Sequence, residues 1–177
     1  MFDNRFVDDT GNDCLLSNDG VDFLMAMSYL KEFYSYKFKK CALRYELALC
    51  IKTGWICHWN GPFEPGMYND EMVFNMGLAG CLGDGERVET DKGYRGSAPK
   101  HIKCPGTLFT DPEKEAMATR VRGRQETVNK RLKQWNILVA AYRHDISDHQ
   151  DVFAAIAVIT QLSLEREPLF SVEYNDS

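Results

Sequence analysis

Residues 42–60 read ALRYELALCIKTGWICHWN. The first run, ALRYELALCI at 42–51, is apolar and β-friendly in composition. KTG makes a turn, and WICHWN at 55–60 follows as a second strand. Two such runs joined by a short glycine-bearing turn predict a β-hairpin. The hairpin puts a sheet into the domain, and the other elements are read outward from it.

Upstream, CLLSN at 14–18 is a short apolar strand that ends at Asp19-Gly20, a turn signal. MAMSYLKEFYSYKFKK at 25–40 is aromatic and basic, and reads as a loop with a short helix. Downstream, GPFEPG at 61–66 breaks regular structure. NDEMVFNMGLAGCL at 69–82 opens on Asn/Asp capping residues and spaces Met72, Met76, Leu78 and Leu82 as a helix would. GDG stops that helix, and ERVET leads as a short strand to Asp91. GSAPKHIKCPG is irregular.

A long helix is predicted over DPEKEAMATRVRGRQETVNKRLKQW, residues 111–135. Asp111 can cap it, Pro112 suits the first helical position, and Glu113 and Glu115 complement the helix dipole. Met117, Val121, Val128, Leu132 and Trp135 trace one apolar face, with Trp135 assigned to the core. Arg122, Glu126, Asn129, Lys130 and Lys133 lie on the opposite face. HQDVFAAIAVITQLSL at 149–164 is a last, largely apolar helix. The order of strand, hairpin, helix, strand, long helix and helix predicts a mixed α/β domain.

The 177 residues suffice for one domain with a sizeable core. Apolar content is 44% and charged content 27%, ordinary for a globular chain. No apolar run is long enough to span a bilayer, and the acidic start MFDNRFVDDTGND does not fit a secretory signal. The six cysteines include no CxxC pair, which points to reduced thiols rather than a disulfide framework or a zinc site. The net charge is −5, unevenly spread. Residues 1–33 hold two basic and seven acidic side chains, and 146–177 hold one and six. Residues 113–145 hold eight basic against four acidic, a segment that can form a local phosphate-binding surface or a solvated helix face.

Three acids stand in comparable settings. Asp19 ends the first strand, Asp91 ends a later one, and Glu126 lies in the middle of the basic helix. Carboxylates from separate elements, converging to hold two divalent ions about 3.5–4 Å apart, are what two-metal phosphoryl transfer requires. Mg²⁺ or Mn²⁺ suits such oxygen ligands. Lys92, Arg95, Arg122, Lys130 and Lys133 could hold phosphates beside them. The bland alternatives are a turn aspartate and a helical ion pair of Glu126 with Arg122 or Lys130.

SNDGVDF, YKFKKCALRYELALCIKTGWICHWNGPFEPGMYNDEMVF, GERVETDKGYRGSAPKHIKCPG, RVRGRQETVNKRLKQW and RHDISDHQDVFAAIAVITQLS together resemble the catalytic domain of DDE-superfamily transposases of the Harbinger/plant-transposase-like group. DKGYRG and RQETVN in that order are its most specific part. The resemblance covers about residues 12–174, between an acidic tail at 1–11 and a short tail at 175–177. It implies a ribonuclease-H-like fold, a mixed sheet flanked by helices. It implies metal-dependent DNA hydrolysis followed by strand transfer, with Asp19, Asp91 and Glu126 as catalytic and metal-binding acids. Members usually read DGT where this chain reads DGV, so Asp22 is the alternative first acid. Between Asp91 and Glu126 lie 34 residues, close to the family spacing.

Family members carry a DNA-recognition region upstream of the catalytic domain, and the first acid here is already at position 19. The expectation is a domain lacking its N-terminal region. The resemblance also implies DNA as a partner, a separate DNA-binding protein as a second one, and the nucleus as the compartment. A catalytically silent or domesticated remnant that binds DNA or protein is the competing expectation.

Other chemistries fit less well. His144 and His149 lack a CxxC to complete a zinc site. No GxSxG surrounds a serine, and no GxGxxG or GxxxxGK[ST] marks a nucleotide cradle. Trp55, Trp59 and Trp135 suit packing better than base stacking.

Overall fold

The computed structural model describes residues 14–97, 100–105 and 112–172. The hairpin is present. Strand β3 (Lys40–Cys50) pairs antiparallel with β4 (Ile56–Phe63), with Leu47 opposite Trp59. On its other side β3 pairs antiparallel with β1 (Cys14–Leu24), with Asp19 opposite Leu47. Two short strands, β5 (Arg87–Glu89) and β6 (Ile102–Lys103), continue the sheet in parallel beyond β1. A two-residue strand, β2 (Tyr34–Ser35), pairs with the first residues of β3. The result is a mixed sheet of six strands.

Helices flank the sheet. Alternation along β3 explains why both of its faces are covered, since successive side chains point to opposite sides. Leu43, Tyr45, Leu47 and Leu49 enter a core shared with Val128 and Leu132 of α2 (Pro112–Leu132), Leu138 of α3 (Asn136–Val139) and Phe153, Ile156 and Leu164 of α4 (Ile146–Arg166). Ala48 and Cys50, of the opposite parity, enter a second core. It holds Phe74 of α1 (Asp70–Met76), Leu78, Val88, Tyr94 and Ile102. Each face gives β3 apolar neighbours, which is why 47–51 is apolar at every position, while Arg44 and Glu46 alternate with apolar residues nearer the start of the strand.

Several expectations hold locally. The Asn69 side chain accepts from the Met72 N–H and caps α1. None of the six cysteines is in a disulfide, and five of them are buried. Other expectations need correction. β1 does not end at Asp19 but runs through Gly20 to Leu24, so Asp19-Gly20 is not a turn. The irregular stretch contains β6. α2 stops at Leu132, so Trp135 leaves the helix face and is 42% exposed rather than core. The proposed Asp111 cap and the two tails lie outside the described residues, and no described helix is long and apolar enough to cross a membrane.

Candidate functional site

Strands β1 and β5 are adjacent and parallel, with Ser17 level with Glu89. Continuing that register by two residues brings Asp19 level with Asp91, just past the end of β5. Helix α2 lies over the same face of β1. Ser17 Oγ donates to Gln125 Oε1 (2.9 Å), and Asn129 Nδ2 donates to Asp19 Oδ2 (2.9 Å). Two strand residues advance about 6.6 Å. Four helical residues advance about 6 Å. Both pairs can therefore form at once. Gln125 Nε2 also donates to the Leu47 carbonyl (2.9 Å), tying the helix to the next strand. With α2 held in this way, Glu126 sits on the same rim.

The result is a cleft of about 670 Å³ lined by Asp19, Glu89, Asp91 and Glu126. Lys37, Arg122, Lys130 and Lys133 also line it. The three acids expected from the sequence therefore share one cleft. The basic residues divide. Lys130 and Lys133 face the cleft. Arg122 does too, but its guanidinium is committed to Glu89 (2.9 Å), Glu115 (3.2 Å) and Thr119 (3.0 Å). Lys92 and Arg95 lie in the exposed 3₁₀ turn at 92–97, outside the cleft lining, and Arg95 donates to the Pro105 carbonyl (3.3 Å).

Asp22 is not in the cleft. It lies an odd number of residues from Asp19 and so on the other face of β1, where Arg44 Nε meets its carboxylate at 2.7 Å. Arg44 Nη2 (3.0 Å) and Ser35 Oγ (2.6 Å) donate to its second oxygen. Of the two aspartates considered for the first acid, Asp19 is the one that lines the same cleft as Asp91 and Glu126.

The Asp19 carboxyl is pushed up to about 6, first by burial and then by the negative charges of Asp70 and Asp91. Lys37 and the Asn129 amide work against that shift. Asp70, the first residue of α1, is itself raised, mainly by burial, although Arg44 Nη1 at 3.2 Å opposes the effect. Glu89 is pushed up to about 7 by burial despite its pairing with Arg122. Asp91 Oδ1 accepts from the Gly93 N–H (2.7 Å). Gly20 has a different role from the turn expected of it. A side chain there would collide with the Asp70 carboxylate where it now sits, so glycine makes room for that carboxylate against β1.

Asp70, Glu89, Lys37 and Asn129 were missing from the sequence-based site. Asp70 carried only a helix-start signal. Asn129 was visible as the residue one turn beyond Gln125 on the polar side of α2. Glu89 and Lys37 carried no site signal. His149 is settled otherwise: it is buried among Phe23, Tyr45 and Tyr142, with Nδ1 2.7 Å from the Tyr45 hydroxyl, and burial pushes it down to about 4.

Oxygen donors, a carboxyl whose ionisation is opposed by its neighbours, and a buried Asn129 Oδ1 without a hydrogen-bond partner fit a hard divalent cation. Among the described residues, no three His, Cys, Asp or Glu side chains are grouped closely enough to hold one ion together. No family model, curated protein or solved structure matches the chain.

Proposed function

We propose that the cleft is a metal-dependent phosphodiester site acting on DNA, in a ribonuclease-H-like domain of transposase type. The observation that carries this reading is Asp19. It is a largely buried carboxylate in the middle of the sheet, raised to about 6 by burial and by Asp70 and Asp91. Lys37 and the Asn129 amide offset that shift only in part, and among the described residues no cation forms an ion pair with it. A structural aspartate is normally neutralised, as Asp22 is by Arg44. The strand pattern supports the fold reading: three antiparallel strands, β4-β3-β1, followed by two parallel ones, β5-β6.

Asp19, Asp91 and Glu126 would hold Mg²⁺ or Mn²⁺. When bound, such ions activate a water or hydroxyl for attack and stabilise the leaving oxygen. Asn129 orients Asp19 through one of its oxygens and leaves the other oxygen open. Lys37, Lys130 and Lys133 supply positive charge along the rim for phosphates on either side of the scissile one. Lys133 stands 5.7 Å from the Phe23 ring centre and 5.3 Å from that of Phe38, so its ammonium is positioned before substrate arrives. A second DNA-binding protein and a nuclear setting belong to the same proposal.

The silent-remnant reading has one observation in its favour, that the acids do not close on a single ion. Nicking of a supercoiled plasmid with Mg²⁺, Mn²⁺ or EDTA separates the two. The nuclease reading expects metal-dependent nicking that Asp19→Asn, Asp91→Asn and Glu126→Gln each reduce by more than about 100-fold, above the range for outer-shell partners. Absence of nicking by the unmodified chain, with no metal-induced rise in melting temperature, would establish the remnant.

A further inference from the structure

Residues 29–40 read YLKEFYSYKFKK, with four lysines and one acid in a chain whose net charge is −5. Tyr29 and Tyr36 are 68% and 78% exposed. Both rings meet Tyr34 edge-on, with centroids 5.4 and 5.2 Å away, so three tyrosines form a ladder at the surface. Lys31, Lys37, Lys39 and Lys40 are all exposed along the same segment.

The frame beneath these side chains is fixed. Ser35, between Tyr34 and Tyr36, is fully buried and donates to Asp22 (2.6 Å), which Arg44 holds in turn. The Lys39 N–H donates to the Ser35 carbonyl (2.7 Å) in a turn where Lys39 takes a left-handed φ of 55°. The Gly66 N–H donates to the Glu32 carbonyl (2.8 Å), and β2 pairs with β3. The segment is also continuous with the acidic cleft, because Lys37 lines the cleft and Phe38 lies under the Lys133 ammonium.

We propose that this segment is a platform for single-stranded nucleic acid. Tyr29 and Tyr36 stack on unpaired bases, Lys31, Lys39 and Lys40 hold phosphates of the same strand, and Lys37 hands that strand to the cleft. Aromatic faces beside cations are the chemistry that recognises unpaired bases, since every base has a π-face and every linkage a charge. A duplex buries those faces in its own stack and offers only phosphates and groove edges. Preordered rings lose little freedom on binding. The proposal rests on the phosphodiester reading only for the direction in which the strand runs.

The test is fluorescence anisotropy in EDTA, where cleavage plays no part. The probes are a labelled oligothymidylate of about 16 nucleotides, an abasic strand of equal length, and a duplex. The expected result is that Tyr29→Ala/Tyr36→Ala weakens oligothymidylate binding by about 10-fold or more. The same variant should leave abasic-strand and duplex binding unchanged. Tyr29→Phe/Tyr36→Phe should restore binding, and because these rings are exposed the variants should melt as the parent does. Lys39→Ala/Lys40→Ala should flatten the salt dependence by about 0.7 for each phosphate that is no longer neutralised. Equal affinity of the parent for abasic and base-bearing strands, or full binding by the double alanine variant, would overturn the platform. Binding without nicking would remove the nuclease and leave the platform. Nicking with full binding by the double alanine variant would do the reverse.

Discussion

Asp19 and Asp22 stand three residues apart on one strand, yet their electrostatic settings are opposite. Asp22 faces α1 and receives two guanidinium hydrogen bonds and a serine hydroxyl. Burial works against the Arg44 charge, but Asp22 and Asp70 keep the guanidinium ionised. Asp19 faces α2, accepts from a neutral amide, and feels the negative charges of Asp70 and Asp91, offset only in part by Lys37. A buried charge compensated within the fold serves the fold. A largely buried charge compensated only in part weakens the fold until a cation arrives, so it marks the place where an external cation would be favoured.

The largest effect should come from breaking the compensated pair. The Arg44 and Asp22 side chains are 13% and 2% exposed, so Arg44→Ala strands a buried carboxylate. A loss of about 3–5 kcal/mol is expected in urea unfolding. A loss below about 1 kcal/mol would mean that the pair is no better than a surface ion pair and that the contrast with Asp19 is not real.

Next in size is metal. At about 100 times its dissociation constant, Mn²⁺ should stabilise the unmodified chain by about 2.7 kcal/mol, because it binds only the folded cleft. Asp19→Asn should remove most of that gain, whereas Ser35→Ala, which disturbs only the Asp22 side, should keep it. Thermal melting with and without Mn²⁺ reads both. Equal shifts in all three proteins would place the metal elsewhere.

Without metal, Asp19→Asn should be more stable than the unmodified chain at alkaline pH. The Asp19 carboxyl titrates at about 6 in the fold against an unperturbed 3.8. Its ionisation therefore costs stability, and the cost is absent below pH 3.8, grows between 3.8 and 6, and is full above 6. The variant should gain about 3 kcal/mol at about pH 8 and nothing near about pH 3.5. His149, pushed down to about 4, destabilises both proteins as pH falls below about 6.5, so the difference between the two denaturation series isolates Asp19. A gain that does not change with pH would show that Asp19 is not the strained group.

The smallest effect belongs to Asn129→Ala, which deletes a neutral donor to Asp19. It should cost about 1 kcal/mol. It should also move the upper end of the Asp19-linked pH dependence upward, since that amide lowers the Asp19 titration. An unchanged upper end would assign Asn129 to packing alone.

Much of this molecule was determined locally. The β3–β4 hairpin follows from two β-friendly runs around KTG, and α2 and α4 from long helical patterns. Of the helix expected over 69–82 the Asn69 start holds, but α1 ends at Met76, its buried residues are Val73 and Phe74 rather than the methionines, and Leu78 lies in a 3₁₀ turn beyond it. Glu126 and Asp91 were legible because an acid in a basic helix and an acid closing a short strand stand out in one dimension. Asp19 was found for the wrong local reason, since Asp-Gly reads as a turn wherever the next strand is out of view. Only the tertiary structure showed that Gly20 is small to admit the Asp70 carboxylate. Only the pairing of β1 with β5 and the docking of α2 could separate Asp19 from Asp22, because one residue of strand register decides which face a side chain takes. Asp70, Glu89 and Lys37 joined the site for the same reason: their charges matter through neighbours distant in sequence, and electrostatic cost is a property of burial and proximity that no local pattern encodes.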